Sequence, residues 1–165
     1  MLNPIDTETV IQRGGAVGVF PGQIHEGVAW WLGACLVVTQ KADRIIVAHD
    51  SASVLDEFTS RLYKGAINAE HYACNVEALG AGTRDGLVAE LQQAGVPGAW
   101  LTSWDSDVGT TVHIELFDRA GLPLDETGLA DIRRRIAEDR VPIPVNDQAK
   151  GRIVYRHDRS KGGRP

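Results

Sequence analysis

The residues from Thr102 to Asp107 include five whose side chains could bind a ligand or take part in catalysis. Thr102 and Ser103 end an apolar run, and Asp105, Ser106 and Asp107 follow it. Two carboxylates two residues apart offer the oxygen ligands that Mg²⁺ prefers, and a serine hydroxyl becomes a nucleophile when a base or a strong field activates it. We therefore take Asp105 and Asp107 as candidate metal ligands or catalytic acids, Ser103 as a candidate phosphoryl acceptor, and Thr102, Ser103 and Ser106 as candidate ligand-binding residues. The simpler alternative is an exposed polar turn, which Asp, Ser and Gly favour.

Histidine and cysteine add one further candidate. The five histidines show no spacing typical of a metal site, but His49 follows an apolar run and precedes Asp50, and we expect it to bind a ligand. Cys35 and Cys74 lack C-x-x-C spacing, which favours buried thiols over a zinc site or a disulfide framework.

The predicted strands and helices determine whether these candidate residues can lie close together. Apolar runs and helical periods alternate along the chain and predict strands at 16–20, 44–48, 71–76, 98–103 and 112–117. Helices are predicted at 25–39, from a cap at Ser51 or Ser53 to Asn68, from Thr83 to Gly95, and from Asp125 over Leu129, Ile132 and Ile136. This order predicts an α/β fold, a three-layer αβα single domain with a mostly parallel mixed sheet. In such sheets, ligands bind where parallel strands end, so the loops at 49–53, 80–83 and 102–111 are expected to form the site.

Charge and hydropathy limit the partners. The net charge of −5 divides into +4 for residues 151–165 and −9 for residues 1–150, so we expect no nucleic acid partner. No apolar run could span a bilayer, and the first residues lack the positive region of a signal peptide, so we expect a cytoplasmic protein without a membrane partner. We divide the chain into a domain at 1–140 and an extended arm with a basic tail at 141–165, because the prolines in 141–145 oppose helix.

Several segments resemble the first domain of the α-D-phosphohexomutases, the family of phosphomannomutase and phosphoglucomutase. Residues 96–103, VPGAWLTS, resemble the strand before that family's active-site motif, G-x-x-x-T-A-S-H-N-P. Residues 18–24, 46–50, 65–70 and 119–124 resemble, in the same order, its opening motif, its V-x-G-x-D strand end, its second helix end and the turn before its last helix. The resemblance covers roughly residues 15–137. It implies a fold like phosphoglucomutase domain 1 and a place in carbohydrate metabolism.

The departures from the family motif concern its chemistry. Counted from Thr102, the family's phosphoryl-carrying serine corresponds to Trp104, whose indole has only a donor N–H and cannot accept a phosphoryl group. The next three family residues correspond to Asp105, Ser106 and Asp107, and the family's lysine has no counterpart. Its nearest positions include His113, which we count among the ligand-binding candidates. The string D-G-D-G-D-R, the family's metal-binding loop, does not occur.

These observations predict a pseudoenzyme, a non-catalytic single-domain relative that binds a protein partner or a sugar-phosphate-like ligand and needs no cofactor. The alternative is an enzyme of sugar-phosphate metabolism with a rebuilt active loop, in which Asp105 and Asp107 hold Mg²⁺ or Ser103 accepts the phosphoryl group. A lone domain would expose the surface that mutases bury against sister domains, so we expect a homodimer or a protein partner. Trp30 and Trp31 project about 100° apart on one helix, and we expect one of them to be exposed at an interface.

Overall fold

The computed structural model of the chain describes residues 5–69, 74–139 and 151–156. Six strands and five helices occupy this part of the chain. They are α1 (Thr7–Val10), β1 (Gly15–Phe20), α2 (Glu26–Gln40), β2 (Arg44–His49), α3 (Leu55–Ile67), β3 (Asn75–Ala81), α4 (Arg84–Ala94), β4 (Gly98–Ser106), β5 (Gly109–Phe117), α5 (Glu126–Ala137) and β6 (Ile153–Tyr155). None of these helices is long and apolar enough to cross a membrane.

The strands form one mixed sheet in the order β1-β5-β4-β2-β3-β6. Strands β4, β2, β3 and β6 pair in parallel, whereas β5 is antiparallel to both β4 and β1. Strand β1 consequently runs in the same direction as β4. The predicted α/β class and the mixed, mostly parallel sheet are confirmed.

Helices cover both faces of the sheet, but unequally. Helices α2, α3 and α5, with the short α1, cover the face with the larger apolar core, whereas α4 is the one described helix on the opposite face. Strand β5 shows this division: Val112, Ile114 and Leu116 enter the larger core, and Phe117 lies in the smaller core under α4. Glu115, also on the α4 side, binds Arg84 of α4. The side chains of this predicted strand therefore alternate between the two faces of the sheet.

The ends of α4 and α5 agree with the sequence, and the start of α3 does not. Thr83 and Asp125 accept hydrogen bonds from the backbone N–H groups of Gly86 and Gly128, and Gly95 ends α4 in a left-handed conformation. The prediction of Ser51 or Ser53 as the cap of α3 was wrong. The helix begins after Val54, which has no capping side chain.

Helices α2 and α3 cross with their backbones in contact. A Cβ atom on Gly65 would lie only 1.9 Å from the carbonyl oxygen of Trp30, and one on Gly33 only 2.2 Å from that of Leu62. Trp30 and Trp31 pack edge to face with ring centroids 5.5 Å apart, and both are half-buried. The expectation that one of the two would be exposed was therefore wrong.

The third strand lies later in the chain than predicted. The expected strand was 71–76, but β3 spans Asn75–Ala81, and residues 71–73 lie outside the described residues.

Glu77 interrupts the apolar pattern of β3, although its side chain is only 4% exposed. Two arginines compensate its charge: Arg44 and Arg156 each donate a hydrogen bond to it at 2.7 Å. Burial raises the pKa of Glu77, but these hydrogen bonds and charges outweigh burial and hold the pKa below its ordinary value.

Part of the predicted arm belongs to this sheet. Strand β6 pairs in parallel with β3, and Arg156, directly after it, also donates to Glu90 of α4 at 2.8 Å. Its hydrogen bonds with Glu90 and Glu77 raise the pKa of the Arg156 guanidinium. The rest of the arm and the tail, 140–150 and 157–165, lie outside the described residues, so the boundary between 140 and 141 stays a prediction.

Candidate functional site

The segment predicted as an active-site loop is a β-hairpin. Strands β4 and β5 stay paired as far as Ser106 and Gly109, with only a two-residue turn between them. The prediction of a loop at 102–111 was wrong, because β4 and β5 extend through most of this range and only two residues form the turn. Trp104 lies directly opposite Thr111, and aromatic and β-branched side chains in such cross-strand pairs stabilise a sheet. Trp104, which the sequence resemblance sets at the family's serine position, thus lies within a strand.

Several polar groups of the hairpin form hydrogen bonds with one another. The Thr110 hydroxyl donates to the Asp105 carboxylate at 2.8 Å, and the Ser106 hydroxyl donates to the Gly109 carbonyl at 3.2 Å. Asp107 lies in the exposed turn. In the described part of the chain, no group of three or more His, Cys, Asp or Glu side chains is arranged to hold a metal ion.

Asp50 connects the ends of β2 and β4. Its Oδ2 atom accepts hydrogen bonds from the Thr102 hydroxyl at 2.5 Å and from the Ser103 backbone N–H at 3.1 Å. Its Oδ1 atom accepts from the Ala52 N–H at 2.9 Å. Burial raises the pKa of Asp50, but these three hydrogen bonds outweigh it, and the pKa lies below its ordinary value. Asp50 was not among the predicted site residues, although the V-x-G-x-D resemblance ends on this residue and could have identified it.

His49 presents an open acceptor. Its Nδ1 atom lies 2.6 Å from the carbonyl oxygen of Asp50, and a carbonyl oxygen can only accept. We therefore assign the proton of the neutral ring to Nδ1, which leaves Nε2 as an acceptor. No described residue makes a hydrogen bond with this Nε2 atom.

The predicted ligand-binding residues divide between the two faces of the sheet. On β4, Thr102 and Trp104 share the α4 face with Trp100 of the smaller core, whereas Ser103 shares the opposite face with Leu101 of the larger core. His113 lies opposite Thr102 and therefore on the α4 face.

The two groups of candidates have different surroundings. The His113 ring packs edge-on against Trp104, with centroids 6.4 Å apart, and its Nε2 atom bonds to the Arg13 carbonyl at 3.0 Å. His49 belongs to the other group, since β2 alternates in the same way and Ala48 lies in the core under α4. The structure thus places Ser103 and His49 on one face of the sheet and Thr102 and His113 on the other, without joining all of them in one site.

The end of the sheet at which β2, β3 and β4 finish, which we call the carboxyl edge, is acidic. It comprises residues 20–26, 49–56, 80–86 and 102–111. These ranges contain six carboxylates, namely Glu26, Asp50, Asp56, Asp85, Asp105 and Asp107, and one arginine, Arg84. Both carboxylate oxygens of Glu115 bind the Arg84 guanidinium, at 2.7 and 2.8 Å. The four described ranges of the carboxyl edge therefore offer no unpaired lysine or arginine to an anion.

The mixed sheet, with α2, α3 and α5 on one face and α4 on the other, defines a class of α/β domain that is known from solved structures. No family model matches the sequence, and no curated protein matches it.

The chain is similar in structure to phosphohexomutases. A phosphoglucomutase/phosphomannomutase family protein from Burkholderia thailandensis is 16% identical, with a TM-score of 0.67 over 92% of this chain and 33% of that chain. A protein described as a phosphomannomutase, from Thermus thermophilus, is 18% identical, with a TM-score of 0.68 over 94% of this chain and 33% of that chain. The phosphoglucomutase parafusin from Paramecium is 11% identical, with a TM-score of 0.53 over 86% of this chain and 31% of that chain. The chain thus has the fold of one phosphohexomutase domain and spans about a third of those proteins.

Proposed function

We propose that this chain is a non-catalytic phosphohexomutase-like domain and that it acts by binding a protein. The observation that carries the proposal is the β4–β5 hairpin. Trp104 stands where the family has the serine that carries the phosphoryl group, and it is held in a strand opposite Thr111. Its indole N–H cannot be phosphorylated in that role, and the neighbouring Thr102 hydroxyl is bound to Asp50.

The charges of the carboxyl edge support a protein partner over a sugar phosphate. Phosphate recognition uses Arg, Lys, a metal ion or free backbone N–H groups. Two described arginines lie at or beside this edge, and both are paired: Arg84 with Glu115, and Arg156 with Glu77 and Glu90. A phosphate would meet six carboxylates there. A basic protein surface would instead be attracted, and the exposed Trp104 (43%) and Val108 (74%) of the hairpin supply apolar contact area.

A second candidate function has one observation in its favour. Ser103 and His49 lie on the same face of the sheet, and the tautomer assigned to His49 makes its Nε2 atom an acceptor that could take a proton. In this alternative, the Ser103 oxygen forms a bond to the phosphorus of a hexose phosphate while His49 takes the hydroxyl proton. The bond between phosphorus and the sugar oxygen breaks, and that oxygen leaves as the sugar hydroxyl after taking up a proton. This second candidate keeps Ser103 as the phosphoryl acceptor predicted from the sequence and does not use Asp105 and Asp107 as metal ligands.

An activity assay separates the two functions. We expect the purified protein not to interconvert hexose 1-phosphates and hexose 6-phosphates, even with Mg²⁺ and a hexose bisphosphate primer. The physical reason is the absence of an activated acceptor at position 104. Turnover by the unmodified protein that disappears in Ser103→Ala and in His49→Gln would overturn the proposal and identify Ser103 as the acceptor.

The protein-binding part of the proposal predicts salt-dependent binding of a basic peptide. Fluorescence anisotropy of labelled hexalysine should show binding at low ionic strength, because exposed charges attract over about 10 Å at 0.1 M salt and less at higher salt. The double variant Asp105→Asn/Asp107→Asn should weaken it several-fold. The control Glu8→Gln/Asp43→Asn removes the same charge from exposed positions outside the carboxyl edge and should leave binding unchanged.

Equal losses in both double variants would show that net charge alone attracts the peptide, which contradicts binding at this edge.

Light scattering on the same samples reports self-association. Like charges oppose contact between two carboxyl edges. A dimer that forms at low salt and dissociates in Asp105→Asn/Asp107→Asn would therefore contradict the proposed basic partner and identify a second copy as the occupant.

A further inference from the structure

A pocket beside the carboxyl edge has features that the proposed function does not use. It has a volume of about 280 Å³ and lies between α3 and the ends of β2, β3 and β6, on the same face as the larger core. Eight residues line it: His49, Asp56, Thr59, Ser60, Tyr63, Ala78, Gly80 and Tyr155. The volume is close to the lower end of the range for small-molecule sites.

Two of the polar groups in this pocket are strong hydrogen-bond acceptors. The Asp56 carboxylate and the Ser60 hydroxyl make no hydrogen bond with any described residue, and neither does the Nε2 atom of His49. A carboxylate can only accept, and the tautomer assigned to His49 makes Nε2 an acceptor. The pocket therefore offers two strong acceptors, together with the hydroxyl groups of Thr59, Ser60, Tyr63 and Tyr155, which can donate or accept.

Two tyrosines form the aromatic part of the wall. Tyr63 is buried and Tyr155 is 42% exposed, and their rings meet edge to face with centroids 6.3 Å apart. Burial raises the pKa of Tyr63 to about 12, so its phenol group stays neutral at physiological pH. The face of a tyrosine ring attracts cations. Tyr155 comes from β6, so the strand beyond α5 completes the pocket.

The charge of the lining selects the ligand class. The eight residues include Asp56 and no lysine or arginine, so a phosphate or carboxylate would lose water without gaining a cationic partner. A compact cation with several N–H donors matches a carboxylate, an imidazole acceptor and aromatic faces together. We propose that this pocket binds an alkylammonium group, either a free primary amine or a lysine side chain of a partner protein.

This inference goes beyond the proposed function and stands without it, because a free amine would fit the pocket whether or not the domain binds a protein. Its test uses different probes and variants from the hexalysine experiment. The probes are butylamine and Nα-acetyllysine amide, and the control is Nα,Nε-diacetyllysine amide, which keeps the chain length and lacks the charge. Binding is followed by NMR shifts of the His49 ring signals during titration into the millimolar range.

We expect both amines to shift the His49 signals with saturation, and the diacetyl control not to do so. Similar affinity for the two amines indicates recognition of the ammonium group alone, whereas tighter binding of the lysine derivative indicates a lysine of a partner. Both results support the pocket. Equal shifts with the uncharged control, or no saturable shift with either amine, would overturn it.

Two matched pairs of variants assign the binding to these residues. Asp56→Asn should weaken amine binding about tenfold or more, which corresponds to about 1.4 kcal/mol, and Glu57→Gln, its exposed neighbour on α3, should not. Tyr155→Leu should weaken binding, and Tyr155→Phe, which keeps the ring, should retain it. Heteronuclear NMR spectra check that each variant is folded. Amine binding that survives both Asp56→Asn and Tyr155→Leu would place the amine elsewhere and contradict the proposal.

Discussion

Replacing Gly65 by alanine is expected to destabilise the domain by roughly 3 kcal/mol or more, at the upper end of the usual cost of overpacking. The new Cβ atom would lie 1.9 Å from the carbonyl oxygen of Trp30, which belongs to the backbone of α2 and cannot rotate away. Helices α2 and α3 would have to separate, and the apolar side chains between them would lose contacts. Urea unfolding followed by circular dichroism measures the change.

The control for this variant is Gly128→Ala on α5. Gly128 is also helical, but the atoms nearest to its Cβ position lie at 3.5 Å or more, which is ordinary contact. Alanine favours helix over glycine by up to about 1 kcal/mol, so Gly128→Ala should be neutral or stabilising. Equal effects of the two substitutions would show that the close helix crossing described above does not exist.

The second large effect is expected for Asp50→Asn, with a loss of about 2 kcal/mol at pH 7. The asparagine keeps one acceptor oxygen but loses the charge that strengthens three hydrogen bonds, each worth about 1.5–3 kcal/mol to a charged group when fully buried. Asp50 is partly exposed, and solvent screening reduces the sum. Thermal unfolding should show a melting temperature several degrees lower.

The effect of Asp50→Asn should depend on pH. The pKa of Asp50 in the folded state is below its ordinary value of 3.8, so its carboxylate stabilises the fold at pH values above 3.8. That stabilisation is lost as the pH falls from the ordinary value through the lower, folded-state value. The stability of the two proteins should therefore converge in acid, and Asp107→Asn should match the unmodified protein throughout. A difference that stays constant down to pH 2 would contradict the assigned role of the Asp50 charge.

The sequence predicted the fold better than the site. Apolar period and helix caps located most elements, since Thr83, Gly95 and Asp125 act locally and their roles can be recognised from neighbouring residues. Strand β3 was misplaced because Glu77 is compensated by Arg44 and Arg156, the second of which lies 79 residues away. Such pairing depends on tertiary structure, and the sequence pattern shows only a charge inside a strand.

The site was harder to predict because its residues act across strands. The hairpin at Trp104 depends on cross-strand pairing between β4 and β5, which the turn signal of Asp, Ser and Gly does not by itself reveal. The division of Thr102 and Ser103 between two faces follows from alternation only after the limits of β4 are known. The pocket at Asp56 depends on Tyr155, a residue of the predicted arm that β6 returns to the sheet.

Intact-protein mass spectrometry after incubation with a hexose 1,6-bisphosphate and Mg²⁺ tests the central claim most directly. Under the proposed function the protein should keep its mass unchanged, because the indole of Trp104 cannot accept a phosphoryl group and the Thr102 hydroxyl is bound to Asp50. The Trp104→Ser variant, measured in parallel, asks whether restoring a hydroxyl at that position is sufficient. The account predicts that it is not, since the strand and the acidic edge remain. A stoichiometric gain of one phosphoryl group by the unmodified protein, located on Ser103, would contradict the account.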